Sequence, residues 1–263
     1  MRKVFAKYRN LPEAVKASLW FTICSILQKG ISFITVPIFT RMLSTEEYGI
    51  ISLFGAWQSI LTIFATLNLS NQIFNNGMVK YEKDQDGYTT AMLGLSNFAT
   101  VLVFVLYLVF HTALDKIFEL PMSAIIMMFI GFFFSAATSL WTVHQRYKFK
   151  YKLLCLVTLI ISLGSALLGV LFVRLESVGL ARIWGDTITI TTVGLLIYVL
   201  IVKKNHKLFN LTYWKYALKL DLPLIPHYLS MTVLGSSDRI MINSLCGKSY
   251  TALYSVPYNA SMI

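Results

Sequence analysis

Charge is scarce in this chain, and acidic charge most of all. Of 263 residues only twelve are Asp or Glu, and charged residues of both signs make up 13%, against 56% hydrophobic. A soluble domain of this length needs a charged surface that this composition does not supply. A mean hydropathy of +0.65 lies outside the soluble range. Cysteine is nearly as rare: Cys24, Cys155 and Cys246 fall within or at the ends of apolar runs. They have no CxxC or other metal spacing, so neither a disulfide framework nor a metal site is implied. Enzyme signatures are missing too. There is no HExxH, GxSxG or P-loop, and the four histidines (His111, His144, His206, His227) are scattered. No connection between apolar runs is long enough to house a catalytic domain, so the expectation is a protein that is not an enzyme and needs no cofactor.

What the chain does have is apolar runs of membrane length. A helix needs roughly 20 apolar residues to cross the hydrocarbon core. Runs of that kind predict spans at 17–40, 49–73, 89–111, 121–143, 153–173, 178–202 and 222–246, with an incomplete span at 250–263. The expected fold class is therefore all-α and polytopic. It comprises an N-terminal lobe of six spans (1–202), a basic linker (203–221) and the start of a second lobe (222–263). The N-terminal MRKVFAKYRN is basic, but the run after it is too long for a signal-peptide core and lacks a small-residue cleavage site, so it reads as a retained first span.

The net charge of +11 does not indicate nucleic acid, because the basic residues sit in the short connections. Sixteen Lys and Arg fall in the N-terminus and in the second, fourth and sixth connections, against four (Arg41, Lys116, Arg174, Lys248) on the other side. That asymmetry predicts a cytoplasmic N-terminus in a cell membrane. The sixth connection, KKNHKLFNLTYWKYALKLD, interleaves Leu208, Leu211, Tyr213 and Trp214 with lysines, which suits a short amphipathic helix on the inner leaflet and a hinge between two bundles.

Polar residues recur at helical spacing on five spans. Ser18, Thr22, Ser25, Lys29 and Ser32 share one face of the first, and Ser52, Gly55, Ser59, Thr62 and Thr66 one face of the second. Gly131, Ser135, Thr138 and Thr142 mark the fourth, Thr158, Ser162, Ser165 and Gly169 the fifth, and Arg182, Asp186, Thr189 and Thr192 the sixth. Any one stripe is explained by close helix packing through small residues. Five together, two of them charged, favour a central hydrophilic cavity. A charge at bilayer depth costs about 2.5–3.5 kcal/mol on insertion scales, so Lys29, Arg182, Asp186, Asp238 and Arg239 should face water or partners. Arg182 and Asp186, spaced i, i+4, can neutralise each other. Asp238 and Arg239 are adjacent and point apart, so one of them is expected to pair with Lys29 or Asp186.

Pro37 to Gly49, PIFTRMLSTEEYG, is built as a helix exit and re-entry. Pro37 should kink the first span near its outer end, and Ser44 with Glu47 forms an S-x-x-E capping box for the second. This junction resembles that of the polysaccharide biosynthesis flippases of the multidrug, oligosaccharidyl-lipid and polysaccharide exporter superfamily. LPLIPHYLSMTVLGSSDRIMIN (222–243) is similar to that family's seventh helix with its Asp-Arg pair. A faint echo between LSTEEYGIIS (43–52) and CGKSYTALYS (246–255) agrees with two pseudo-equivalent lobes. The resemblance implies two lobes rocking about a central site, whereas the sequence stops within the eighth helix, so the expectation is a fragment of a longer transporter. It further implies a lipid-linked oligosaccharide as substrate, within membrane lipid, with polysaccharide polymerase and glycosyltransferases as partners.

On that reading Lys29, Arg182 and Arg239 hold the pyrophosphate and Arg41 captures or releases it. Asn68, Asn71 and Gln72, with Ser25, Ser59 and Thr62, bind sugar, and Asp186 or Asp238 couples the cycle to an ion or forms a structural ion pair. The competing readings are a cation-coupled multidrug antiporter, which wants a more acidic cavity, and a membrane glycosyltransferase or polymerase, which wants a long outer loop. A non-transporting scaffold is the third.

Overall fold

The structure is a computed structural model that describes residues 12–261. Ten α-helices follow one another, with no strand among the described residues. They are α1 Glu13–Met42, α2 Thr45–Thr66, α3 Gln72–Lys80, α4 Gln85–Phe118, α5 Met122–Tyr147, α6 Tyr151–Leu175, α7 Gly179–Lys204, α8 Leu211–Asp221, α9 Ile225–Cys246 and α10 Lys248–Ser261. Six of them (α1, α2, α4 with its leading 3-10 turn, α5, α6 and α7) are long and apolar enough to cross a membrane, and the chain is an all-α polytopic membrane protein. The first four of the N-terminal basic residues lie outside the described residues.

Two expected spans come out differently. The second stops at Thr66 and not at residue 73. Leu67 and Asn68 turn into the left-handed region (φ 53° and 45°), and the chain restarts as the short α3. The cause is local: Thr66 Oγ1 accepts from the Asn68 amide at 3.3 Å, competing with the helix ladder in a segment rich in Asn and Ser. The seventh, α9, is helical nearly as expected, yet it is not among the six apolar enough to cross. Asp238, Arg239 and Asn243 interrupt its apolar run. The linker helix forms as α8, with Asn210 as its cap, accepting from the amides of Thr212 and Tyr213.

Helix α7 is central, packed against both α5 and α6, while α1 leans on α6. The α6–α7 seam is made of small residues. A Cβ on Gly185 falls 2.6 Å from the Gly169 backbone, and one on Gly164 falls 2.9 Å from Thr189. The polar stripes of the fifth and sixth spans therefore serve close packing in large part, and not a cavity. Polar and aromatic groups of the basic connections meet at one end of the bundle. Lys204 is 3.6 Å from Asp86, and Tyr213 donates to Asp84 at 2.8 Å.

The opposite end is organised by the α1–α2 junction. Ser44 accepts from the Glu47 amide at 3.2 Å, as its capping motif predicts. The other half of the box is diverted: the Glu47 carboxylate accepts from the Gly179 amide and so caps α7 instead of its own helix. Glycine is required there, since a Cβ on Gly179 lies 2.3 Å from the Glu47 carbonyl oxygen. Helix α1 is continuous through Pro37.

Glu47→Ala leaves the α7 amide unpaired and should destabilise the fold by about 1–3 kcal/mol, read as a lowered midpoint of thermal unfolding. Gly185→Val overpacks the α6–α7 seam and should cost about 1–3 kcal/mol, whereas Gly55→Ala, inside α2 with nothing within 4 Å of the added carbon, should not lower the midpoint and should raise it slightly.

Candidate functional site

A cavity of about 420 Å³ opens between α1, α2, α7 and α10, lined by Lys29, Ser32, Thr35, Phe39, Tyr48, Arg182 and Asn259 among others. The helical period of α1 delivers Lys29 and Ser32 to one wall, and Thr35, Val36 and Phe39 continue it one turn on. Tyr48 arrives because it follows Glu47, and Arg182 because it lies one turn into α7, whose start Glu47 holds.

Its cations are built in. Arg182 is paired with Asp186, donates to the Ser165 carbonyl at 3.1 Å and lies over the Phe39 ring at 4.5 Å. Arg239 donates to the Asn259 side-chain oxygen at 3.1 Å and lies 4.7 Å from the Tyr258 ring. Its Nε is buried and without a hydrogen bond. The Asn259 amide also lies beside the Tyr48 hydroxyl, which feels the charges of both Arg182 and Arg239. Asp238 accepts from Tyr254 and from the Arg239 amide at 2.8 Å. The pairing across helices expected for Asp238 or Arg239 is thus replaced by bonds to Tyr254 and Asn259 of the next helix. Both carboxylates are already engaged, so the cavity presents cationic and neutral donors. Guanidinium groups stacked on rings, Arg182 held through one nitrogen by two oxygens and Arg239 by one, keep further N–H donors in a fixed fork, a geometry suited to phosphate oxygens.

Lys29 and Arg182 line the cavity, with Arg239 bonded to the lining Asn259, and other expected residues lie apart. Arg41 is exposed at the end of α1 and does not line the cavity. Asn68 lines a separate recess of about 100 Å³ with Thr62, Thr66, Ser70, Ser96 and Ser135. Asn71 is exposed just before α3, and Gln72 is the first residue of that helix. Ser25 is exposed one turn from Lys29, and Ser59 bonds its own helix at the Gly55 carbonyl, 2.9 Å. The Asn68 and Asn71 amides therefore do not share the cation cavity. Tyr48 and Asn259 were not foreseen. Tyr48 stood within the junction motif, and Asn259 lies in the run too short to be read as a span.

A family model described as polysaccharide biosynthesis protein matches residues 14–263. Neither the curated proteins nor the solved structures include a significant match.

If water fills the cavity, a cysteine on its wall reacts with a charged thiol reagent. In a background with the three native cysteines changed to Ser, Ser32→Cys and Thr35→Cys should be labelled. Leu167→Cys, on the exposed apolar face of α6, should react at least about tenfold more slowly, because thiolate forms only where water reaches it.

Proposed function

The chain belongs to the polysaccharide biosynthesis protein family, and on that premise we propose that it takes part in flipping a polyprenyl-pyrophosphate-linked sugar unit across the cytoplasmic membrane by alternating access. The observation that carries this reading is the presence of Lys29 and Arg182 in the lining of one cavity, with Arg239 bonded to the lining Asn259 and the neighbouring carboxylates Asp186 and Asp238 already engaged. A pyrophosphate is a compact polyanion. It exchanges water for guanidinium and ammonium donors, while the polyprenyl tail stays in lipid beside the exposed apolar face of α1. Ser32, Thr35, Tyr48 and Asn259 offer hydroxyl and amide groups to the first sugar. No bond is made or broken in this cycle, and the protein acts as a transporter and not as an enzyme.

The N-terminus and the basic connections lie on the cytoplasmic side, where the substrate is assembled by glycosyltransferases, and the polysaccharide polymerase receives it on the other. The same charge balance speaks against a multidrug antiporter, since Asp186 is held by Arg182 and Asp238 by Tyr254, leaving little free carboxylate for a cationic drug.

The test is flipping of a lipid-linked oligosaccharide by the full-length protein in proteoliposomes. Loss of one charge-assisted contact is worth about 1.5–3 kcal/mol, so Lys29→Ala and Arg239→Ala should each slow flipping by roughly ten- to a hundredfold. Wild-type rates in both variants overturn the assignment.

A further inference from the structure

Asp221 ends the linker helix α8 and is fully buried, at 0% exposure. Neither of its carboxylate oxygens has a hydrogen-bond partner. It stands on the inward face with Trp214 and Ala217, at spacings of 3 and 4. That face is anchored by the Trp214 indole, which donates to the Ala91 carbonyl at 2.8 Å. Tyr228 of α9 lies within reach of the Asp221 charge, its hydroxyl buried and unpaired, with the Asn71 side chain beside it.

Among the described residues, no cation pairs with this carboxylate from any element packed on α8. Lys215 and Lys219 of α8 itself are exposed. From α3, Lys80 sits over the Tyr216 ring at 4.0 Å. Asp84, before α4, takes the Tyr213 hydroxyl, and Asp86 faces Lys204 and His144. His227 of α9 is exposed, its ring 6.0 Å from that of Tyr228. An ionised carboxylate in such a place is costly, whereas its neutral form needs only one acceptor for its proton.

The position is also a joint. Pro223 and Pro226 cannot donate to the carbonyls of Lys219 and Leu222, so the ladder between α8 and α9 is interrupted just beyond Asp221. We propose that Asp221, with Tyr228 beside it, is a proton-binding site at the joint between linker and second-lobe helix, and that its occupancy decides whether α8 stays seated on the bundle. This inference is independent of the transported substrate.

Burial pushes the Asp221 carboxyl from its ordinary 3.8 up to about 7 in the seated state. Because the seated pKa is the higher one, the seated state holds the proton between those two values. Seating is therefore favoured at low pH, weakens as pH rises towards about 7, and changes no further above it. Amide hydrogen exchange of residues 211–224 in the full-length protein, corrected for intrinsic rates, reads this directly. Exchange should accelerate between pH 5 and 7, by up to about tenfold per pH unit, and level off above.

Asp221→Asn, an isostere of the neutral acid, should exchange slowly and without pH dependence. Tyr228→Phe should keep the rise with a displaced midpoint. A variant with His144, His206 and His227 all changed to Gln should keep it unaltered. A flat wild-type profile overturns the proposal even if the Asn variant fails to fold. So does a rise that persists in Asp221→Asn or disappears in the histidine variant.

Discussion

The hydrogen bond from the Gly179 amide to the Glu47 carboxylate governs the arrangement of this molecule. It joins the turn between α1 and α2 to the first turn of α7, elements separated by 132 positions in the chain. Its neighbours inherit their places from it. Tyr48 follows Glu47 directly, and Arg182 follows Gly179 by three residues, so one bond sets two side chains that line the cavity. The contact has no room for a Cβ, which makes it a constraint on backbone approach as well as on charge. Around it Phe39, Leu43, Tyr48, Val173, Ala181 and Ala252 form an apolar cluster that shields the bond from competing water.

Much of the fold was legible in the sequence because membrane helices must satisfy their backbone internally and therefore announce themselves as long apolar runs. The second and sixth connections meet at one end through Asp84, Asp86, Lys204 and Tyr213. The capping box was read correctly at Ser44 and only halfway at Glu47. A carboxylate can bend back to its own cap or reach across to another helix, and sequence spacing does not separate the two. The break after Thr66 was missed for a similar reason. Asn68 and Ser70 are polar but short, and averaging hydropathy over a span hides their competition for backbone groups.

The polar stripes show where sequence reading of the site reaches its limit. A hydroxyl on a helix can donate to the carbonyl one turn back, as Ser52, Ser59, Thr66, Ser162 and Thr189 do here. Once satisfied in that way, it asks for neither water nor ligand. A stripe of such residues therefore looks the same in sequence whether it lines a cavity or permits close packing. Charged residues carry more information, because no backbone carbonyl one turn back neutralises them. Lys29 and Arg182 both line the cavity, with Arg239 bonded to the lining Asn259, while Asn68 and Asn71 lie elsewhere.

The faint echo between residues 43–52 and 246–255 has a physical counterpart. The two segments open α2 and α10, and these openings touch. Thr45 donates to Ser249 at 3.3 Å, and a Cβ on Gly49 falls 2.1 Å from the Lys248 carbonyl oxygen. Two rods fastened at one end behave as calipers. With the fulcrum at Gly49, displacement grows with distance along the helix, and the stretch of α2 from there to Thr66 is about 26 Å long. A rotation of about ten degrees at that point moves its far end by about 4 Å and leaves the pinned end still. The far end of α2 runs toward the end of the bundle where the basic connections gather.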